Sequence, residues 1–327
     1  MACTVLRVTE ADPGPLARAA EVLRRGGLVA FPTETVYGLG ANALDAAAVG
    51  RIFAAKGRPA HNPVIVHVTG PEAARELVSD WPEAARRLAE RFWPGPLTLV
   101  LPRRAVVPDL VTAGGPTVAL RVPAHPVALG LLRACRLPVA APSANRSTQL
   151  SPTRAEHVLS GMGDRIDLLL DGGPTSGGLE STVLDLTTDP PRLLRPGLVS
   201  PAELEAVVGP IARGAEPGQP ARSPGQMERH YAPRTPLETV PAPGLGRVRA
   251  LAGEGRRVGW LTLGEAACPA GVMCVALPAD AAGYAAGLYD ALHRLDAAGL
   301  ERIIVDLPPR TDEWLAVHDR LRRAATR

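Results

Sequence analysis

The sequence predicts a mixed α/β domain followed by a smaller αβ domain. Three observations carry this. Short continuous apolar runs such as Leu28–Phe31 and Val64–Val68 alternate with stretches of helical period such as Pro13–Arg25, the pattern of a sheet covered by helices. Residues 209–235 then lose all apolar period and turn Gly-, Pro- and Arg-rich, the texture of a connection. Beyond them three strand-like runs and two helical ones resume. The 327 residues therefore divide into 1–208, a connection at 209–235, and 236–327, since a chain of this length outgrows one small core.

In order, Pro13 to Arg25 reads as a helix with Leu16, Ala19, Ala20 and Leu23 on one face, stopped by Gly26-Gly27. Leu28 to Phe31 is a buried strand, ending in the polar loop Pro32-Thr33-Glu34-Thr35-Val36-Tyr37-Gly38-Leu39-Gly40. Asp45 caps a helix to Ala55, and Lys56 follows it. Strands are expected at 64–68, 97–101, 117–122, 137–141, 166–170, 182–186 and 193–195, and helices at 71–78, 82–92, 127–135 and 153–159. Ser200 caps a last helix to Val208. In the second part 257–263, 272–277 and 302–307 read as strands, and 284–298 and 312–325 as helices.

Composition narrows the function classes. Hydrophobic residues make up 46% and charged ones 21%, which is globular, and with aromatics at 3% the core rests on Ala, Val and Leu. Residues 1–208 hold 21 basic and 20 acidic side chains, so the larger part is close to neutral. A protein whose main task was gripping nucleic acid would carry a larger surplus. Cys3, Cys135, Cys268 and Cys274 lie in no metal spacing and are too few for a disulfide scaffold, which points to a reducing, cytoplasmic setting. No signal peptide or bilayer-length apolar run is expected.

Lys56 is the one lysine in the chain; every other basic residue is arginine. Where arginine serves everywhere else, a surviving lysine points to a site that needs a compact ammonium. Lys56-Gly57-Arg58-Pro59 and Asn62-Pro63 lead into the strand of His67, an arrangement suited to a polyanion at the rim of a sheet. Gly38-Leu39-Gly40-Ala41-Asn42-Ala43 has the G-x-G-x-x-A form, but it begins too far after the strand and lacks the acidic partner of a dinucleotide fingerprint. No phosphate-loop spacing, nucleophile elbow or zinc-type His pair occurs. Any metal is therefore expected to arrive on a ligand's phosphates.

Polar groups accumulate at strand ends and loops: Thr33, Thr35, Lys56, Arg58, Asn62, His67, Thr117, Arg121, Ser143, Asn145, Ser151, Ser181 and Arg195. Taken singly, each has a plainer reading as an ion pair, a turn residue or a core histidine. Together, cations and small hydroxyls from several strand ends suit a triphosphate beside a small carboxylate.

Phe31-Pro32-Thr33-Glu34-Thr35-Val36-Tyr37-Gly38-Leu39, Lys56-x-Arg58-Pro59 with Pro63 and His67, Ser143-x-Asn145, Ser181-Thr182 and Arg195-Pro196-Gly197 resemble the YrdC/Sua5 family of L-threonylcarbamoyladenylate synthases. Ser223-Pro224-Gly225 and His230-Tyr231-Ala232-Pro233, with the C-terminal part, resemble the long Sua5 form. Val64 stands where the family often has leucine. The resemblance implies a YrdC-like twisted mixed sheet and a small Rossmann-like C-terminal domain. It implies that L-threonine, bicarbonate and ATP yield threonylcarbamoyl-AMP and pyrophosphate, for the modification of adenosine 37 in tRNA, with Mg2+ beside the phosphates. Lys56 and Arg58 would be catalytic, at the phosphates. Arg58, Asn62, Thr117, Ser143, Ser151, Arg195 and Tyr231 would hold ATP with Lys56, and Asn145 would complete the S-x-N element. Thr35, His67, Arg121, the Ala141 backbone and Ser181 would hold threonine, with no protein metal ligands and no assigned general base. Arg121 is the natural partner of the amino-acid carboxylate, and the His230-Tyr231 stretch would act as a lid that excludes water. Partners implied are tRNA and the threonylcarbamoyl-transferase proteins downstream. Rival expectations are a double-stranded RNA or ribosome-maturation binder on the same fold, a carbamoyl-adenylate-forming domain, and a non-catalytic nucleotide sensor.

Overall fold

The computed structural model describes residues 3–9, 14–214 and 231–326. The chain forms two compact units, one of residues 1–147, 152–176 and 180–226, the other of 148–151, 177–179 and 227–327. The boundary thus differs from the one read in sequence, because two short N-terminal loops count with the second unit. Ala232 N–H donates to Thr148 O at 2.9 Å. The Gly178 backbone runs so close to the helix at Ala285 that an added Cβ would lie 2.4 Å from the Ala285 carbonyl oxygen. Such joins rest on backbone contacts and leave no apolar period to read.

The first unit begins β1 (Thr4–Arg7), α1 (Gly14–Arg24), β2 (Val29–Phe31), β3 (Gly38–Asn42), α2 (Ala46–Lys56) and β4 (Ile65–His67). It continues α3 (Pro71–Arg75), α4 (Glu83–Phe92), β5 (Leu97–Pro102), α5 (Asp109–Thr112), β6 (Thr117–Arg121), α6 (Pro126–Cys135) and β7 (Val139–Ala140). It closes with α7 (Ala155–Met162), β8 (Leu168–Asp171), β9 (Thr182–Asp185), β10 (Arg192–Arg195), α8 (Pro201–Val208) and β11 (Ala212–Arg213). The strands make one mixed sheet in the order β1-β8-β2-β3-β7-β4-β6-β5-β9-β10-β11. Against one side α1 and α6 bury Ala19, Ala20, Leu23, Ala128, Leu131 and Leu132 with Phe31 and Val139.

Three local readings change. Gly38–Gly40 is strand, not loop: β3 pairs with β2, and a Cβ at Gly40 would sit 2.8 Å from both Phe31 and Val139. The glycines of that false fingerprint serve close packing. The 71–78 helix ends at Arg75. Lys56 is the last residue of α2 and not its successor, with Asp45 accepting from Ala47 N and Ala48 N at one end and Gly57 in the left-handed region, φ 63°, at the other.

The second unit holds β12 (Leu237–Pro241), α9 (Leu245–Gly253), β13 (Val258–Leu263), β14 (Met273–Leu277), α10 (Ala281–Ala297), β15 (Arg302–Leu307), a turn of 3₁₀ helix at Asp312–Trp314 and α11 (Leu315–Ala325). Its four strands are parallel in the order β12-β15-β13-β14, the Rossmann-like arrangement expected. β12 and α9 escaped the sequence reading, as did β1, α5 and β11. Two prolines and four glycines in residues 241–255 mask the period of α9. Cys268 and Cys274 form a disulfide. This corrects the expectation of unbridged thiols: counting cysteines tests for a scaffold or a metal site, and a bridge spanning six residues is neither. Among the described residues no helix is long and apolar enough to cross a membrane.

Candidate active site

The loop between β2 and β3 is locked by a single hydroxyl. Thr33 Oγ1 donates to Val36 O at 2.7 Å and accepts from Thr35 N and Val36 N at 3.2 Å each. This fixes Thr35, whose Oγ1 accepts from Arg121 Nη1 at 2.9 Å. Arg121 ends β6 and is 3% exposed; its Nε donates to Gly95 O at 3.2 Å and its Nη2 lies 2.7 Å from Glu34 Oε1.

Strand register aligns the other candidates with Arg121. His67 at the end of β4 is its partner in the parallel pair, and Val139 of β7 faces His67 from the other side. Leu120 pairs with Leu99, which puts Thr98 beside Arg121. Thr98 pairs with Val183, and Val183 with Arg195. Laterally paired residues share a face, so His67, Arg121, Thr98 and Arg195 lie in one row across five adjacent strands. Ser181 joins that row: its Oγ lies 2.7 Å from Thr98 Oγ1 and accepts from Arg195 Nη2 at 3.0 Å, while Arg195 Nε donates to Ser181 O at 3.0 Å. Gly197 makes this possible, since a Cβ there would fall 2.3 Å from Thr182 N. Thr117 sits on the same face of β6, four residues before Arg121. Ala141 extends β7, its N–H donating to Ile65 O at 2.9 Å.

Beside the row, the loop after Ala141 is strapped to α2. Lys56 is 2% exposed. Its Nζ donates to Ser143 O at 2.5 Å, to Asn145 O, and to Asn145 Oδ1 at 3.3 Å. Ser147 N–H returns to Lys56 O at 2.9 Å. An ammonium has three N–H groups, and all three are taken. This revises the expectation that Lys56 faces the phosphates directly: it holds the Ser143–Asn145 loop in place. Burial first, and the neighbouring Arg58 second, press its amine well below the usual lysine range; the three oxygens are the counterweight. Arg58 is likewise engaged, Nε donating to Asn62 O at 3.0 Å and Nη2 to Pro63 O at 2.7 Å.

His67 is buried, and burial and then Arg121 press it down to about 3 against a hydrogen bond with the Val139 backbone. It is neutral at ordinary pH and its Nδ1 makes no hydrogen bond, so it suits orientation better than base work. Ser151 and Tyr231 are described within the second unit. Ser151 O meets His293 Nε2 at 3.1 Å. Tyr231, 1% exposed, packs 5.9 Å from the Tyr289 ring and 5.1 Å below the Arg320 guanidinium. His230 and the rest of 215–230, the heart of the expected lid, lie outside the described residues.

Residues 21–197 match the Sua5/YciO/YrdC family, described as telomere recombination, and residues 199–326 match the threonylcarbamoyl-AMP synthase C-terminal domain. The chain is 46% identical to the threonylcarbamoyl-AMP synthase of Bacillus subtilis, covering 96% of this chain and 93% of that one, and 45% identical to that of Pyrococcus abyssi, covering 94% and 93%. The chain belongs to the threonylcarbamoyl-AMP synthase family. In structure it resembles the crystal structure of Pyrococcus abyssi Sua5 complexed with L-threonine, with TM-score 0.92, 42% identity and coverage of 99% of this chain and 98% of that one. These relatives favour the synthase reading over the RNA-binding one.

Within this synthase fold the sequence reading passed over two residues. Thr98 was read only as part of an apolar run. Glu34 stood inside a quoted motif with no role assigned. Its signal was available: an acid in a strand-end loop with no basic neighbour in sequence needs its cation from elsewhere.

Proposed function

We propose that this chain condenses L-threonine, bicarbonate and ATP into threonylcarbamoyl-AMP and pyrophosphate. The observation that carries the reading is the row of His67, Arg121, Thr98 and Arg195, with Ser181 bound into it. From Arg121 to Arg195 is three strand spacings, about 14 Å. That separation lets one guanidinium take an amino-acid carboxylate while the other takes a phosphate.

The threonine amine and bicarbonate give a carbamate and water. A carbamate oxygen attacks the α-phosphorus, and pyrophosphate leaves. No protein nucleophile is needed, so the catalytic task is bringing anions together and stabilising the charge that develops. Arg121 and Thr35 seat the amino acid, with His67, Ser181 and the Ala141 backbone around it. Arg58, Asn62, Thr117, Ser143, Asn145 and Arg195 serve the nucleotide, with Lys56 acting through the Ser143–Asn145 loop. For Ser151 and Tyr231 the assignment rests on the sequence resemblance alone. The first unit's donors are guanidiniums, amides and hydroxyls, which suit phosphates and not a cation, so Mg2+ would come on ATP. The product is consumed by a cytoplasmic transferase system acting on tRNA.

The test is an assay of pyrophosphate and adenylate formation. Formation should require threonine and bicarbonate together, and Arg121→Ala should lower kcat/KM for threonine at least ~100-fold, about 2.7 kcal/mol. Pyrophosphate release independent of threonine would overturn the reading.

A further inference from the structure

Among the described residues of the first unit, Glu34 and Arg121 form an unusual ion pair. Arg121 Nη2 lies 2.7 Å from Glu34 Oε1, with side-chain exposures of 4% and 14%. Yet Nη2 and both carboxylate oxygens are buried without one aligned hydrogen bond among them. A buried ion pair recovers its desolvation only when its remaining protons and lone pairs are satisfied. This one leaves two N–H groups and two acceptor oxygens unused, side by side. The defect is not slack backbone: the Thr33 hydroxyl locks the loop, Ser176 Oγ donates to Glu34 O at 3.4 Å, and Arg121 is braced by Gly95 O and Thr35 Oγ1.

An α-amino acid carries the complementary set: a carboxylate that needs donors and, one carbon away, an ammonium that needs acceptors. We propose that Glu34 is the seat of the substrate's α-ammonium, facing the carboxylate seat on Arg121. This rests on the reading of Arg121 as the partner of the amino-acid carboxylate. Binding then exchanges one poorly aligned internal pair for two aligned pairs with the ligand. A ligand with the carboxylate but no amine would take Arg121 and strand Glu34 without a cation, which is strongly unfavourable for a buried charge. The pair thus selects amino acids over plain hydroxy acids. Neutral His67, across the strand from Arg121, cannot supply that selection.

The experiment is calorimetric titration of L-threonine and of 3-hydroxybutyrate, the same skeleton without the amine, into wild type, Glu34→Gln and Glu34→Asp. Wild type should prefer threonine strongly. Glu34→Gln should weaken threonine at least tenfold while leaving 3-hydroxybutyrate unchanged or tighter, so that the preference collapses; Glu34→Asp, with the charge on a shorter arm, should fall between. Unchanged or tighter threonine binding in Glu34→Gln would overturn the proposal, leaving Glu34 as a counterion that substrate displaces. Equal loss of both ligands would also overturn it, leaving a purely structural residue. Should Glu34→Gln fail to fold, the same two-ligand comparison on Glu34→Asp decides. If wild type takes up no threonine, the Arg121 reading itself falls and takes this one with it, a result distinct from the others.

Discussion

Both units bury charge, and they treat it differently. In the second, Asp319 of α11 accepts from Arg320 Nη1 at 2.8 Å, Arg322 Nη2 at 2.9 Å and Arg323 Nε at 3.0 and 3.1 Å. Burial alone would raise its carboxyl, but Arg320 and Arg323 outweigh it and hold the group below the usual carboxylate range. In the first, Arg121 Nη2 and the Glu34 carboxylate touch without an aligned hydrogen bond, and His67 Nδ1 is left bare. Beside them Lys56 is saturated by three oxygens. A saturated charge holds a fold together. An unsaturated one holds a place for something that arrives later.

The comparison breaks first at Lys56. Lys56→Met keeps the length of the side chain and removes the three donors, leaving the Ser143 and Asn145 carbonyl groups buried and unpaired. The expected cost is about 3–5 kcal/mol of stability, read as a lowered urea midpoint, together with at least ~100-fold loss of activity as the Ser143–Asn145 loop drifts. Loss of activity with an unchanged midpoint would mean that Lys56 acts on the ligand and not on the loop. An exposed cation such as Arg86, paired with Glu83 and Glu90 on its own helix, should leave the urea midpoint and turnover nearly unchanged when changed to Ala.

Asp319→Ala is the matching change in the second unit. It strands Arg320 and Arg323, which are 1% and 8% exposed, and should cost about 3 kcal/mol. Threonine affinity should stay within about twofold, because every proposed threonine contact belongs to the first unit. A large fall in threonine affinity would erase the distinction between charge that holds the fold and charge that waits for ligand.

How much of this was legible in sequence depends on whether a residue's role is local. The Asp45 cap, the Ser200 cap and the helical face of α1 follow from neighbours within one or two turns, and they stand where the pattern put them. The candidate residues were visible too, because polar groups at strand ends are conspicuous against an apolar chain. Their pairing was not. That Arg121 meets Glu34, 87 positions earlier, and that Arg195 holds Ser181 depends on a strand order in which β9 lies against β5, which no spacing encodes. Lys56 was conspicuous as the one lysine. Its carbonyl partners were not legible, because carbonyl oxygens, which every residue carries, leave no mark in a sequence.

The smallest effect is the most discriminating for the first unit's unsatisfied groups. His67 is buried and held at about 3 by burial and by Arg121, whereas in the unfolded chain it titrates near the ordinary histidine value of ~6.5. The unfolded state therefore binds a proton that the folded state refuses as pH falls below that value. The sign follows: this contribution to stability is intact above pH ~6.5 and is lost progressively as pH falls toward 3. At about 1.4 kcal/mol per pH unit, moving from pH 7.5 to pH 5 should cost wild type about 2 kcal/mol that His67→Gln does not lose. His125 and His293, also pressed down chiefly by burial, add to the slope of both proteins and cancel in the difference. Urea midpoints at the two pH values measure it, and parallel losses would show that His67 gains its proton in the folded protein. Saturating threonine sharpens the same measurement. A carboxylate placed on Arg121 offsets the charge that helps keep His67 neutral, so ligand should make the folded protein tolerate His67 protonation better and shrink the gap between the two proteins. No shrinkage would mean that burial alone keeps His67 neutral, and that the row across the sheet carries less electrostatic coupling than its geometry suggests.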